Sequence, residues 1–128
     1  MSVTTSVDLI NELKRFHYLE AERVETYGLF EEGFRAYLKG APNYNLQMYK
    51  ELVNEITTTF LNISKDIIGI KNIFEENGQH AISESVSKIQ SLEQKKLQLT
   101  ADLQIIRQKE IDEPYDALAD EIKELKSK

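Results

Sequence analysis

The stretch Tyr49–Phe74, YKELVNEITTTFLNISKDIIGIKNIF, decides the fold. Tyr49, Val53, Ile56, Phe60, Ile63, Ile67, Ile70 and Phe74 follow one another in alternating steps of four and three. On an α-helix that spacing holds all eight on one stripe. A strand has a period of two and would scatter them over both faces. The β-branched run Ile56-Thr57-Thr58-Thr59 therefore lowers helix propensity without overturning the helix. A helix of this length spans about 39 Å at roughly 1.5 Å per residue. Its oily side must be covered by something long lying alongside, and Leu52, Leu61, Ile68 and Ile73 widen that side enough to make this helix central.

Upstream, a first helix is predicted from Ser6 or Asp8, with Thr5 or Ser6 as N-cap and Asp8 placing negative charge in the first turn. Its apolar face reads Leu9, Leu13, Phe16, Leu19, Val24, Tyr27, Phe30, Phe34 and Leu38. Gly28 and Gly33 interrupt it at about 1 kcal/mol each against alanine. Aromatics flank both and no proline is near, which points to a close helix crossing. Gly40-Ala41-Pro42-Asn43 ends the helix, with glycine suited to a left-handed C-terminal position and proline blocking continuation. Asn43 or Asn45 caps the second helix, Leu46 to Glu76. The short connection predicts antiparallel neighbours.

Asn77-Gly78 stops the second helix. A third is predicted from about Ile82 to Glu110, with Ile82, Val86, Ile89, Leu92, Leu99, Leu103 and Ile106 along its inner face. Lys96 falls where that stripe expects an apolar residue, and its stem is expected to cover core while its amine reaches water. Asp112-Glu113-Pro114 reads as a break or kink, followed by a short fourth helix bearing Leu118, Ile122 and Leu125. The expected fold is all-α: an antiparallel, coiled-coil-like three-helix bundle over residues 1–111, with a short C-terminal helix or tail over 112–128.

Composition bounds the function. The 128 residues suffice for one domain, and 41% hydrophobic with 30% charged residues is the balance of a folded helical protein. The absence of cysteine removes disulfides, a thiol nucleophile and a thiolate zinc site. No apolar signal core or membrane-length run is visible, so a soluble intracellular protein is expected. With a net charge of −6, lysines and acids alternate along the third helix, and direct nucleic-acid binding, which needs a basic face, is not expected.

His17 and Glu20 are three apart, His80 and Glu84 four apart, and each pair shares a helical face. A helical di-iron site needs carboxylates from four helices and Glu-x-x-His order, which these lack. Glu31 and Glu32 sit about 100° apart on a helix and cannot share a substrate. The aromatics Tyr27, Phe30, Phe34, Tyr37, Tyr44, Tyr49, Phe60 and Phe74 could stack on bases, but most fall at core spacing. No nucleotide-binding loop, nucleophile elbow or His-Glu-x-x-His motif is present. The reading assigns no catalytic, cofactor-binding or metal residue and expects a protein partner, with self-association left open.

Three segments carry a resemblance to a family. They are Tyr27-Gly-Leu-Phe-Glu-Glu-Gly-Phe-Arg-Ala-Tyr-Leu38; Tyr49-Lys-Glu-Leu-Val-Asn-Glu-Ile56 continuing to Phe60 and Ser64; and Ile89 to Ala101 continuing through Leu103-Gln-Ile-Ile-Arg-Gln108. Together they resemble the small "required for excision" type-B DNA-repair family over roughly Glu22 to Gln108. The resemblance implies a helical, non-enzymatic accessory or scaffold protein of DNA excision repair. It implies a process and no chemistry. The alternative is a structural helical subunit or coiled-coil adaptor of a larger assembly.

Overall fold

The computed structural model describes residues 5–127, with side chains described as far as Glu113. Three helices follow in order: α1, Ser6–Leu38; α2, Leu46–Glu76; and α3, His80–Ser127. Thr5 caps α1. Its hydroxyl accepts from the Asp8 amide at 3.1 Å while Asp8 accepts from the Thr5 amide at 3.2 Å, a reciprocal capping box. The Thr5 hydroxyl also lies 2.7 Å from Asp8 Oδ2, and its donation, followed by that of the Thr5 amide, holds the Asp8 carboxyl below its ordinary range. Asn45 caps α2 by accepting from the Met48 amide at 3.1 Å.

The two turns differ in kind. Gly78 takes the left-handed conformation at φ 75°, and it lets Gln79 N–H donate to the Phe74 carbonyl at 2.9 Å and Gly78 N–H to Glu75 at 3.2 Å. That pair of bonds satisfies the last carbonyls of α2. Gly40 is not left-handed, contrary to expectation, because α1 closes through right-handed Lys39 instead. What glycine supplies at position 40 is room: a Cβ there would lie 3.3 Å from the Asn43 carbonyl oxygen.

Helix α2 is central. Ile56, Phe60, Ile63, Ile67, Ile70 and Phe74 are all buried, as the heptad spacing requires. Leu61 and Ile68 are exposed, so the apolar face is narrower than expected. Contacts from α1 run against the direction of α2: Arg15 reaches Asp66, Tyr27 packs on Phe60, and Phe34 on Tyr49. Partner numbers fall as those of α1 rise, the order in which antiparallel helices meet. From α3, Leu97 packs with Phe60 and Gln104 meets Tyr49, again in opposite order.

The core has two apolar clusters. Phe16 and Leu19 join Ile63, Ile67, Ile70, Phe74 and Val86 in one; Phe30 joins Ile56 and Phe60 in the other. In α1 the buried positions are Phe16, Leu19, Arg23, Thr26, Phe30, Phe34 and Tyr37. Val24, expected inside, is exposed, because this three-four register assigns its layer to Arg23. Gly33 does mark a close approach, to the Leu52 side chain, where a Cβ would fall 2.4 Å from Cδ2. Gly28 does not, having nothing within 4 Å of the equivalent point.

Helix α3 departs most from expectation. It runs unbroken past residues 111–112 and through Pro114 to Ser127, so there is no separate fourth helix among the described residues. A mid-helix proline removes one backbone bond and costs about 3 kcal/mol. Continuation is favoured by strong helix formers downstream, Ala117, Leu118, Ala119, Glu121 and Lys123 among them. The apolar face expected at Leu118, Ile122 and Leu125 lies outside the described side chains. The inner face of α3 differs too: Ser83, Val86, Gln90 and Gln104 are buried, while Leu92, Leu99, Leu103 and Ile106 are exposed.

Candidate functional site: a buried arginine layer and an outward apolar stripe

Arg23 sits between the two apolar clusters and is only 3% exposed. A guanidinium there must have its donors occupied. Nη1 donates to Glu20 Oε1 at 2.6 Å, and Nη2 to Ser64 Oγ at 3.2 Å and to Gln90 Oε1. Nε lies 4.0 Å from Glu93 Oε2. One layer thus ties all three helices together. Burial pushes the Glu20 carboxyl up despite the opposing pull of Arg23.

Tyr27 adjoins this layer. Burial, then the Glu93 charge, push its phenol up to about 12. Lys96 holds its amine 4.3 Å above the Tyr27 ring, so the lysine expected to cover core does so over an aromatic face. The opening lined by Arg23, Tyr27, Phe60, Ser64, Glu93 and Leu97 encloses about 30 Å³, room for roughly one water and for no substrate. The arrangement is a structural tie. Sequence reading missed it, although the steps 16, 19, 23, 26, 30 place Arg23 on the core stripe.

A second polar set joins the far end. Tyr49 donates to Gln104 Oε1 at 2.7 Å, and Arg107 donates to Glu31 Oε1 at 2.8 Å while lying 5.0 Å over the Phe34 ring. The Arg107 hydrogen bond holds the Glu31 carboxyl below its usual range. Arg35 adds a 3.3 Å contact to Glu31, and Glu32 is exposed, so the adjacent acids serve different surroundings. Tyr37 stacks between Tyr49 at 4.3 Å and Tyr44 at 4.7 Å, and the Tyr44 hydroxyl donates to Asp112. All eight aromatics weighed as base-stacking residues are buried or half-buried.

The histidine pairs are not joined. His17 is exposed with its ring edge on Phe16, Glu20 belongs to Arg23, and His80 Nδ1 lies 2.8 Å from Glu75 rather than at Glu84. Among the described residues no three His, Asp or Glu side chains converge as a metal site requires, and no helix is long and apolar enough to cross a membrane. The larger depressions are open grooves. One of about 670 Å³ runs along α2 past Leu46, Tyr49, Val53 and Thr57; another of about 300 Å³ lies between α1 and α3 at Leu13, His17, Ile82 and Ile89.

Residues 11–107 match the family described as DNA repair REX1-B. The chain is similar to the Required for excision 1-B domain-containing protein of Bos taurus, 32% identical over 111 residues, which are 85% of this chain and 62% of the relative. Its similarity to the protein of the same name from Mus musculus is 25% over 95 residues, 73% of this chain and 56% of that one. The chain thus spans less than two thirds of the length of these relatives. No solved structure matches it. With about three quarters of its length inside the match, the chain belongs to the DNA repair REX1-B family.

Proposed function

We propose that the protein is a non-enzymatic helical accessory factor of DNA excision repair, working through contacts with other proteins. The observation that carries this reading is the family match over residues 11–107, together with relatives named as required for excision. The surface chemistry supports an indirect role. A net charge of −6 gives phosphates little to bind, and Arg23 and Arg107 are engaged in ties between helices.

The test is removal of the protein from cells, followed by ultraviolet damage, with lesion excision and survival as readouts. Slower excision restored by the full chain supports the proposal. Normal excision contradicts it. Purified protein should leave duplex and single-stranded DNA unshifted at physiological salt while retaining a repair protein in pull-down; a salt-sensitive shift would argue for direct DNA contact. A second reading, an adaptor subunit of an assembly unrelated to DNA, is favoured by the apolar stripe that α3 turns outward. Normal excision combined with a stable non-repair assembly would select it.

A further inference from the structure

Leu92, Leu99, Leu103 and Ile106 are 63%, 61%, 57% and 50% exposed, yet they follow one another in steps of seven, four and three. That is the seam spacing of a helix built to pack lengthwise on another helix. The other face of α3 already serves the bundle, with Gln90, Leu97 and Gln104 against α1 and α2. The stripe is therefore a second packing face on the same helix.

Although acids and lysines alternate along α3 as a whole, those beside the stripe are unevenly divided between its two halves. Lys88 and Lys95 flank the N-terminal half, with the single acid Glu84 at its outer end, and Asp102, Glu110 and Glu113 flank the C-terminal half, so the balance is basic at one end and acidic at the other. Lys109 stands about 80° round from Leu99 at 100° per residue, off the seam. A surface that is basic at one end and acidic at the other is complementary to itself turned end for end. A two-fold axis at Leu99 sets Leu92 opposite Ile106, Lys88 opposite Glu110 and Lys95 beside Asp102. A parallel copy would instead oppose lysine to lysine and glutamate to glutamate. The lysine-rich half also carries a shallow groove of about 540 Å³ along Glu84, Ser87, Lys88, Ser91, Leu92 and Lys95, the part of the face that the two-fold sets against the Ile106–Glu110 turn of a reversed copy.

We propose that the Leu92–Ile106 face of α3 is a self-association surface, occupied by α3 of a second copy running antiparallel. This is an isologous contact, in which one patch meets itself. It holds whatever process the protein serves, since it rests on this chain's own stripe and charges.

Sedimentation of the full chain from about 1 to about 300 µM, the range of moderate affinities, tests it. The expected result is a monomer–dimer equilibrium. Leu99→Asp with Leu103→Asp should remain monomeric throughout, with unchanged helicity and melting temperature because both positions are exposed. Lys88→Glu with Lys95→Glu makes the flank acidic; Asp102→Lys with Glu110→Lys and Glu113→Lys makes it basic. Each variant alone should dimerise at least tenfold more weakly, and an equimolar mixture should recover a heterodimer. A wild-type chain monomeric over the whole range overturns the proposal. So does a dimer that survives the aspartates, or charge variants that the mixture fails to rescue. Loss of a repair protein from the aspartate variant, with the wild type monomeric, would assign the face to a different occupant and likewise overturn it.

Discussion

The inward face of α2 carries Ile56, Phe60, Ile63, Ile67, Ile70 and Phe74, whereas that of α3 carries Ser83, Val86, Gln90, Glu93, Leu97 and Gln104. Each fully buried aliphatic or aromatic side chain in the first set contributes roughly 1.5–3 kcal/mol by leaving water. The hydrogen bonds of the second contribute only about 0.5–1.5 kcal/mol net apiece. They do something burial does not: Gln90 accepts from Arg23, and Gln104 from Tyr49, so they fix which face of α3 turns inward. The seam of α2 supplies stability, and the polar seam of α3 sets its register.

The largest expected effect strikes the register. Arg23→Ala leaves Glu20 and Glu93 without their cation, and breaking such a buried pair costs about 3–5 kcal/mol. Arg23→Ala should therefore lower the chemical-denaturation midpoint at least as much as any single apolar truncation. A loss under 1 kcal/mol would mean the layer is hydrated and adds nothing. Ile67→Ala, at a fully buried position of α2, should cost about 2–5 kcal/mol. Leu99→Ala on the outer stripe, measured in dilute protein, should stay within about 0.5 kcal/mol of wild type. Equal costs at 67 and 99 would erase the contrast between the helices.

The glycines sharpen the same map. Gly33→Leu drives bulk into Leu52 and should destabilise by about 1–3 kcal/mol. Gly28→Ala meets open space and should stabilise the helix by about 0.5–1 kcal/mol. An unchanged or higher melting temperature for Gly33→Leu would contradict the close approach there.

The smallest effect is electrostatic. Glu31 has a folded pKa below its unfolded value of 4.5, first through the Arg107 hydrogen bond. Its contribution is therefore present above the unfolded value and lost as pH falls through the lowered folded one. Glu31→Gln should be less stable than wild type at neutral pH and indistinguishable from it at about pH 2, below the carboxylate titration range. A stability gap that widens on acidification would reverse the sign and refute the assignment.

Much of this was legible before any coordinates. The unbroken four-three spacing of α2 selects one face, and Thr5, Asn45 and Gly78 stand where caps and a left-handed turn require them. Helix α3 is different, because apolar spacing alone picks Leu92, Leu99, Leu103 and Ile106 as core, and all four are exposed. The polar face prevails where Gln90 meets Arg23 of α1 and Gln104 meets Tyr49 of α2, and such partners cannot be counted from one helix's own periodicity. Hydropathy favours Val24 over Arg23 for the inside because an arginine on the core stripe reads as surface until Glu20, Ser64 and Gln90 converge on it. Pro114 read as a stop because its local cost is plain, while the helix-forming strength of the residues beyond it is spread thinly over many positions.

Thiol labelling tests the orientation of α3 most directly, since the chain has no cysteine of its own. Leu103→Cys and Gln104→Cys are neighbours in sequence but stand about 100° apart on the helix. In dilute folded protein, a cysteine at 103 should react with a maleimide at nearly the rate of a free thiol. One at 104 should react at least tenfold more slowly. Fast reaction at 104 with protection at 103 would show the apolar face turned inward and the polar face outward, contradicting the orientation of α3 on which this account stands.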